Sequence, residues 1–222
     1  MYTAVIIEPR QHKALSFVIH NILENLPDEW CILVFHGNEN KDFVEEILQM
    51  LYAFKHRILS PIQLDITNLT IYQYNKMLVN SNFYKCIPTE IFLIFQTDTM
   101  ILHQNRHLIN DFLKYDYVGA PWRNGCVGNG GFSLRRKSKM IEICEKVPHF
   151  NYYFNEDVYF SLQKLIKIYK PNWRKAMIFS VETIFYESSF AIHSPWKHLN
   201  THEMGVLRNK YPDIDILIEL NK

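Results

Sequence analysis

The chain has 222 residues, 48% hydrophobic and 21% charged, with 7 glycines and 9 prolines. That composition excludes collagen-like and disordered classes and suits one globular domain. Lysine plus arginine (24) balances aspartate plus glutamate (23) to a formal net charge of +1, too even for a dedicated electrostatic binder of nucleic acid or anionic membrane.

The first residues show no basic region leading to a cleavage site, and no apolar run approaches membrane-span length. The chain therefore reads as soluble and cytoplasmic, with no membrane span. Cys31, Cys86, Cys126 and Cys144 lack CxxC spacing and read as reduced thiols.

Thr3 to Ile7 is a β-branched run that stops at Glu8-Pro9-Arg10, and Leu15, Val18, Ile19, Ile22 and Leu26 then recur at helical spacing. Cys31 to Phe35 predicts a second strand, and Phe43, Ile47, Leu51 and Phe54 a second helix. An extended stretch covers Ile58 to Ile66, with helical spacing again through Tyr74, Met77 and Leu78. Ile91 to Phe95 is wholly apolar, as in a strand buried on both faces, and it ends at Gln96-Thr97-Asp98-Thr99. This alternation predicts an α/β, Rossmann-like, mostly parallel central sheet flanked by helices, with ligands beyond the carboxyl ends of the strands. No GxGxxG fingerprint follows the first strand and no P-loop is present, which argues against a dehydrogenase or an ATPase.

After Asp98 the pattern loosens. Tyr115 to Trp122 reads as a strand leaving the core, and Cys126 to Gly131 concentrates three glycines before Phe132-Ser133-Leu134-Arg135. Asn155 precedes a helical pattern through Val158, Leu162, Leu165 and Tyr169. Two short β-like runs flank Glu187, the second leading into His193-Ser194-Pro195-Trp196-Lys197. The expected organisation is one domain, 1–222, with a nucleotide-type half over about 1–100 and a looser substrate half over about 101–222.

Asp98, directly after a buried strand, is placed either to hold a divalent cation or to cap the next helix. Gln96 offers a neutral oxygen on the same side of an extended chain. His193 follows a β-like run and is either a second ligand or a satisfied core histidine. The His198/His202 pair lacks the glutamate of a HExxH motif. Gly128 to Gly131 brings backbone close to a ligand or simply turns a hairpin. In Asn155-Glu156-Asp157 the asparagine suits an N-cap and the acids suit a helix dipole. The alternative is a carboxylate at Asp157 that accepts a proton from a hydroxyl. Arg10, Lys76 and Lys197 are solvated cations or neutralise a diphosphate.

Taken in order, Gln96-Thr97-Asp98, Gly128-Asn129-Gly130-Gly131-Phe132-Ser133-Leu134-Arg135, Asn155-Glu156-Asp157 and His193 resemble the GT-A class of nucleotide-sugar glycosyltransferases. There these places correspond to the DXD metal motif, the glycine-rich acceptor-side loop, the xED motif and a C-terminal metal-binding histidine. Tyr115 to Trp122, Glu8-Pro9-Arg10 and Tyr74-Asn75-Lys76 are similar to segments of a little-characterised glycosyltransferase-like family. The resemblance runs from about Thr3 to His198 and implies a GT-A-like fold with a smaller acceptor-side sheet. It further implies Asp98 and His193 on a metal, and Glu8, Arg10 and Asn75 near the nucleoside. Lys76 or Lys197 would lie near the diphosphate, with Gln96, Thr97 and Trp196 also among the substrate contacts. Gly130 and Gly131 would line donor sugar and acceptor, Asp157 would be the general base of an inverting reaction, and Glu156 would hold hydroxyls. The donor implied is a nucleoside diphosphate sugar, a UDP-sugar first, and the acceptor a glycan, protein or small molecule. Gln96 stands where the DXD motif has its first acid.

An imidazole ligand favours Mn²⁺ over Mg²⁺, which prefers oxygen, so Mn²⁺ is the expected cofactor, with Mg²⁺ as the substitute. Two alternatives stand beside this reading. A sugar nucleotidyltransferase normally carries a glycine-rich basic loop after the first strand, and Glu8 to His12 contains no glycine. A non-catalytic nucleotide- or sugar-binding module is the other, and Gln96 is the feature that favours it.

Overall fold

A computed structural model describes residues 1–54, 59–148 and 155–222. β1 (Tyr2–Ile7), α1 (Leu15–Asn25), β2 (Trp30–His36), α2 (Lys41–Phe54) and β3 (Leu59–Gln63) alternate as the sequence predicts. α3 (Ile71–Leu78) and α4 (Ser81–Lys85) then lead to β4 (Ile91–Ile94). β1 pairs in parallel with β2 on one side and β4 on the other, and β2 pairs in parallel with β3.

Both faces of the central strands β1, β2 and β4 are covered, which is why they are almost wholly apolar. Side chains alternate along each strand. Ala4, Ile6, Ile32, Val34 and Leu93 join the core formed with Val18 and Ile22 of α1 and Val44 and Leu48 of α2. Their neighbours Val5, Leu33, Phe35, Phe92 and Ile94 face a second core with Leu78 of α3 and Tyr84 of α4. Pro61 lies inside β3, where it is tolerated because β3 is an edge strand that, among the described residues, pairs only with β2.

The second half adds β5 (Thr99–Ile101), β6 (Tyr117–Val118), β7 (Ser133–Arg136) and α5 (Lys137–Lys146). It continues with α6 (Glu156–Leu162), α7 (Trp173–Phe179), β8 (Ser180–Val181) and β9 (Ala191–His193), and then α8 (Thr201–Lys210) and α9 (Asp213–Leu220). β7 runs antiparallel to β4, and β6 antiparallel to β7, completing a six-stranded sheet of order β3-β2-β1-β4-β7-β6. A second, three-stranded sheet has the order β5-β9-β8. The α/β class, the mostly parallel central sheet and the smaller second sheet are as expected from the sequence.

Several details differ. Of the extended stretch Ile58 to Ile66, Ile58 lies outside the described residues and β3 ends at Gln63. The strand expected over Tyr115 to Trp122 shortens to two residues. The helix expected to run from Val158 to Tyr169 stops at Leu162, and Leu165 and Tyr169 are exposed. Gln163 adopts an extended conformation there. Its side-chain amide donates to the Ile166 carbonyl and accepts from the Ile166 N–H, both at 2.8 Å, so a side-chain turn replaces the next helical turn. The C-terminal helices had no sequence-based expectation. α8 opens on a capping box between Asn200 and Glu203, and Met204, Leu207, Ile214 and Leu217 of α8 and α9 close one side of the first core.

Among the described residues, no helix is long and apolar enough to cross a membrane. The parallel strands β1 and β4 deliver Glu8 and Gln96 to the same end of the sheet, and the small sheet delivers His193 to the same place.

Candidate functional site

A cleft of about 490 Å³ opens at that end. Glu8, Arg10, Asn75, Gln96, Thr97, Asp98, Gly130, Gly131, Glu156, Asp157, His193 and Lys197 all line it. Lys76 and Trp196, also expected among the substrate contacts, do not line it. α3 turns Tyr74 and Asn75 into the cleft, and the next residue along the helix, Lys76, is left exposed to solvent. Trp196 is half-buried and packs its ring on the first core, the more favourable place for a large apolar surface.

Asp98 sits in a tight turn between β4 and β5, in which Thr99 bonds the Gln96 carbonyl through both its N–H and its hydroxyl. β5 pairs with β9 so that Thr99 lies opposite His193, which brings Asp98 Oδ1 to 3.3 Å from His193 Nε2. Ser194 then takes a left-handed conformation, φ 40° and ψ 44°, and turns the chain back. Lys197 returns over the turn and places Nζ 2.9 Å from Asp98 Oδ2. Burial pushes the Asp98 carboxyl up, but the hydrogen bonds and charges of His193 and Lys197 outweigh it and hold the group well below the usual carboxylate range. Burial likewise lowers His193, yet its bonds to Asp98 and Glu182 prevail and raise it to about 9.

The glycine-rich segment forms the floor. Its backbone lies so close to the functional side chains that larger residues do not fit. A Cβ on Gly131 would stand 2.3 Å from the His193 ring, and one on Gly130 would stand 2.3 Å from Glu156 Oε1. Gly130 N–H donates to Asp157 Oδ2 at 3.2 Å, and Val158 N–H donates to Asp157 Oδ1 at 2.7 Å. Burial and the neighbouring Glu156 charge nevertheless raise the Asp157 carboxyl to about 6. Two adjacent glycines thus separate a carboxylate with a near-neutral pKa from an aspartate–imidazole pair.

Glu156, expected to hold hydroxyls, is committed elsewhere. Both its oxygens accept from the Arg135 guanidinium at 2.8 Å, and both residues are buried. The guanidinium lies 5.0 Å from the centre of the Tyr117 ring and 5.7 Å from that of Phe160. Asn155 occupies the N-cap position of α6 but makes no capping bond from its side chain. Asn75 from α3 supplies one instead, its Oδ1 accepting from Glu156 N–H at 3.1 Å. Glu8 is similarly engaged, accepting from the backbone N–H, Nε and Nη2 of Arg10 at 2.8–3.0 Å.

His12, Tyr74, Asn129 and Asn221 also line the cleft and were not singled out as site residues by the sequence. Arg135 and Glu182 were missed as partners. For Asn129 and Arg135 the signal was available, since both lie in the glycine-rich segment. Glu182 had none.

As a cation site, Asp98 and His193 provide one carboxylate and one imidazole. Among the described residues, no group of three or more His, Cys, Asp or Glu side chains is arranged to hold a metal. The donor chemistry fits Mn²⁺ if ligand oxygens and water fill the remaining positions.

The family model described as "Protein of unknown function (DUF5672)" matches residues 61–196. No curated protein matches the chain. Among solved structures, the apo-form glycosyltransferase GlyE of Streptococcus pneumoniae TIGR4 superposes with a TM-score of 0.61 at 11% identity. That match covers 98% of this chain and 62% of GlyE, so this chain spans less than two thirds of that protein. HddC from Yersinia pseudotuberculosis, complexed with GMP-PN, superposes at 0.51 with 13% identity over 94% of this chain and 99% of its own. At such identities the likeness speaks to the fold, which is GT-A-like.

Two consequences of the site are measurable. Glu156→Gln breaks the buried pair and is expected to cost about 3–5 kcal/mol in urea denaturation. Arg135→Met combined with Glu156→Leu is expected to recover most of that loss. For Asp157, a carboxyl raised in the fold binds its proton more tightly in the native than in the unfolded chain. Stability therefore falls as pH rises from the ordinary value of 3.8 to about 6. Asp157→Asn, which mimics the protonated group, is expected to be about 1–3 kcal/mol more stable than wild type near pH 7 and to lose that advantage below about pH 4.

Proposed function

The chain belongs to the family described as "Protein of unknown function (DUF5672)", and we propose that it is a glycosyltransferase. In this reading it moves a sugar from a nucleoside diphosphate sugar, a UDP-sugar first, to a hydroxyl of a glycan, protein or small molecule. The observation that carries this reading is the placement of Asp157 and the Asp98–His193 pair at opposite ends of the Gly130-Gly131 floor. Glycosyl transfer needs that separation, with a base on the acceptor side and positive charge on the leaving-group side.

The nucleotide-side half, about 1–100, supplies Glu8, Arg10 and Asn75 for the nucleoside and Gln96, Thr97 and Asp98 for the donor. The acceptor-side half, about 101–222, supplies the glycine floor and Asp157. That the HddC neighbour was crystallised with GMP-PN supports nucleotide binding in this reading. Asp157 accepts the proton of the acceptor hydroxyl as its oxygen attacks the anomeric carbon. The bond to the diphosphate oxygen breaks on the opposite face, which inverts the configuration. Asp98 and the Nε2 of His193 would hold Mn²⁺, or Mg²⁺ less well, which supplies Lewis-acid stabilisation of the departing diphosphate. Lys197 adds a positive charge on the same side. The Gly130 and Val158 N–H groups hold Asp157 in place, and the Arg135–Glu156 pair anchors the start of its helix.

A second reading draws on the Lys197 contact. Lys197 and His193 already surround Asp98 with positive charge, and a metal-independent transferase would direct both at the diphosphate. Transfer that is insensitive to EDTA selects this reading.

A thermal-shift panel of nucleoside diphosphates and their sugars, with and without Mn²⁺, tests the donor class. A shift that requires both one diphosphate and Mn²⁺ is expected. Pyrophosphate release from a nucleoside triphosphate and a sugar phosphate would select a nucleotidyltransferase instead, and binding without transfer or donor hydrolysis a non-catalytic module. With the donor known, Asp157→Ala is expected to lower kcat by about 10²–10⁴-fold while donor binding persists. In the wild type, kcat/KM is expected to rise with pH as the Asp157 carboxyl ionises around 6 and to level off above it. NMR of the product should find the inverted anomer, and retention would remove Asp157 from its role.

A further inference from the structure

Against the Nδ1 edge of His193 lie two polar residues that the transfer reaction has not yet used. β8 and β9 run in parallel with Val181 paired to Ile192, so the next residues along, Glu182 and His193, lie side by side. Glu182 Oε1 is 3.3 Å from His193 Nδ1, and Asn129 Oδ1 is 2.9 Å from the same nitrogen. All three side chains are buried.

The orientation of the Asn129 amide is fixed by two further bonds. Its Oδ1 accepts from Gly131 N–H at 3.1 Å, and its Nδ2 donates to Glu182 Oε1 at 2.7 Å. Both atoms that face His193 Nδ1 are therefore acceptors. Only a protonated Nδ1 satisfies them; without a cation the ring also carries a proton on Nε2, the nitrogen turned toward Asp98, and when a cation displaces that proton the lone pair it leaves is on Nε2. A carboxylate behind a histidine in this way both orients the ring and makes it a stronger donor to a cation.

We propose that Glu182, with Asn129, is a positioning residue that holds His193 in its Nδ1-protonated form and offers Nε2 to a divalent cation shared with Asp98. The inference rests on the cation reading of the cleft and extends it to a residue outside the cleft lining. It also accounts for a buried carboxylate at Glu182 that does not line the cleft.

Mn²⁺ titration followed by electron paramagnetic resonance, together with long-range proton–nitrogen spectra of ¹⁵N-histidine-labelled protein, tests it. Glu182→Gln, which keeps shape and removes charge, is expected to weaken Mn²⁺ binding about 10–100-fold, and Glu182→Asp to recover part of the loss. Above about pH 10, where the ring is neutral, the spectra of the unaltered metal-free protein are expected to place its one remaining proton on His193 Nδ1. Equal Mn²⁺ affinity in Glu182→Gln and wild type would overturn the positioning role while leaving the cation site intact. A bare Nδ1 in the wild type would overturn it whether or not Mn²⁺ binds. Failure of the wild type to bind Mn²⁺ would instead remove the cation reading, and with it the purpose assigned to Glu182.

Discussion

The buried bond between Arg135 and Glu156 holds the two halves of the cleft floor together. Arg135 rises from β7, the antiparallel strand added beside β4, and Glu156 begins α6. The guanidinium also donates to Ser133 Oγ, whose hydroxyl in turn bonds the Gly130 carbonyl. One cation therefore fixes the start of a helix, the end of a strand and the glycine turn between cleft and core. Taking both charges out of water is unfavourable, and close bidentate geometry with aromatic rings on the guanidinium offsets it.

This bond also explains how two aspartates in one cleft come to differ. Asp98 is surrounded by His193 and Lys197, and their positive charge keeps it ionised. Asp157 is buried beside Glu156, and Arg135 only partly compensates because its guanidinium is already bound to Glu156. One carboxylate is a permanent anion and the other exchanges its proton near neutrality. Environments that drive like groups apart in this way assign acid–base roles within a site.

Much of the fold was legible because the parallel strands bury both faces. Thr3 to Ile7, Cys31 to Phe35 and Ile91 to Phe95 carry that signature with no competing pattern. The second half was harder to read because its strands are two to four residues long and owe their form to pairing with distant segments. Leu162, Leu165 and Tyr169 had helical spacing, but a local side-chain turn at Gln163 took precedence. Asp98, Asp157 and His193 were legible as chemistry-bearing residues at element ends. What spacing did not carry was their partnering: Glu156 with Arg135, Asn75 on the end of α6, and Glu182 behind His193 all join residues that only the folded chain brings together. Lys76 and Trp196 lie outside the cleft lining for a related reason, since the side on which a residue emerges depends on helix phase and on nearby apolar cover.

Pro61 bears on how the molecule behaves in a crowded solution. Among the described residues β3 has no strand on its outer side, and an unprotected margin of that kind invites hydrogen bonding from another chain. The pyrrolidine ring withholds one amide proton from that margin. At the opposite margin, β6 is only two residues long. Each border of the sheet is thus a poor template for fibril-like growth, a safeguard that matters in a chain whose central strands are so richly apolar.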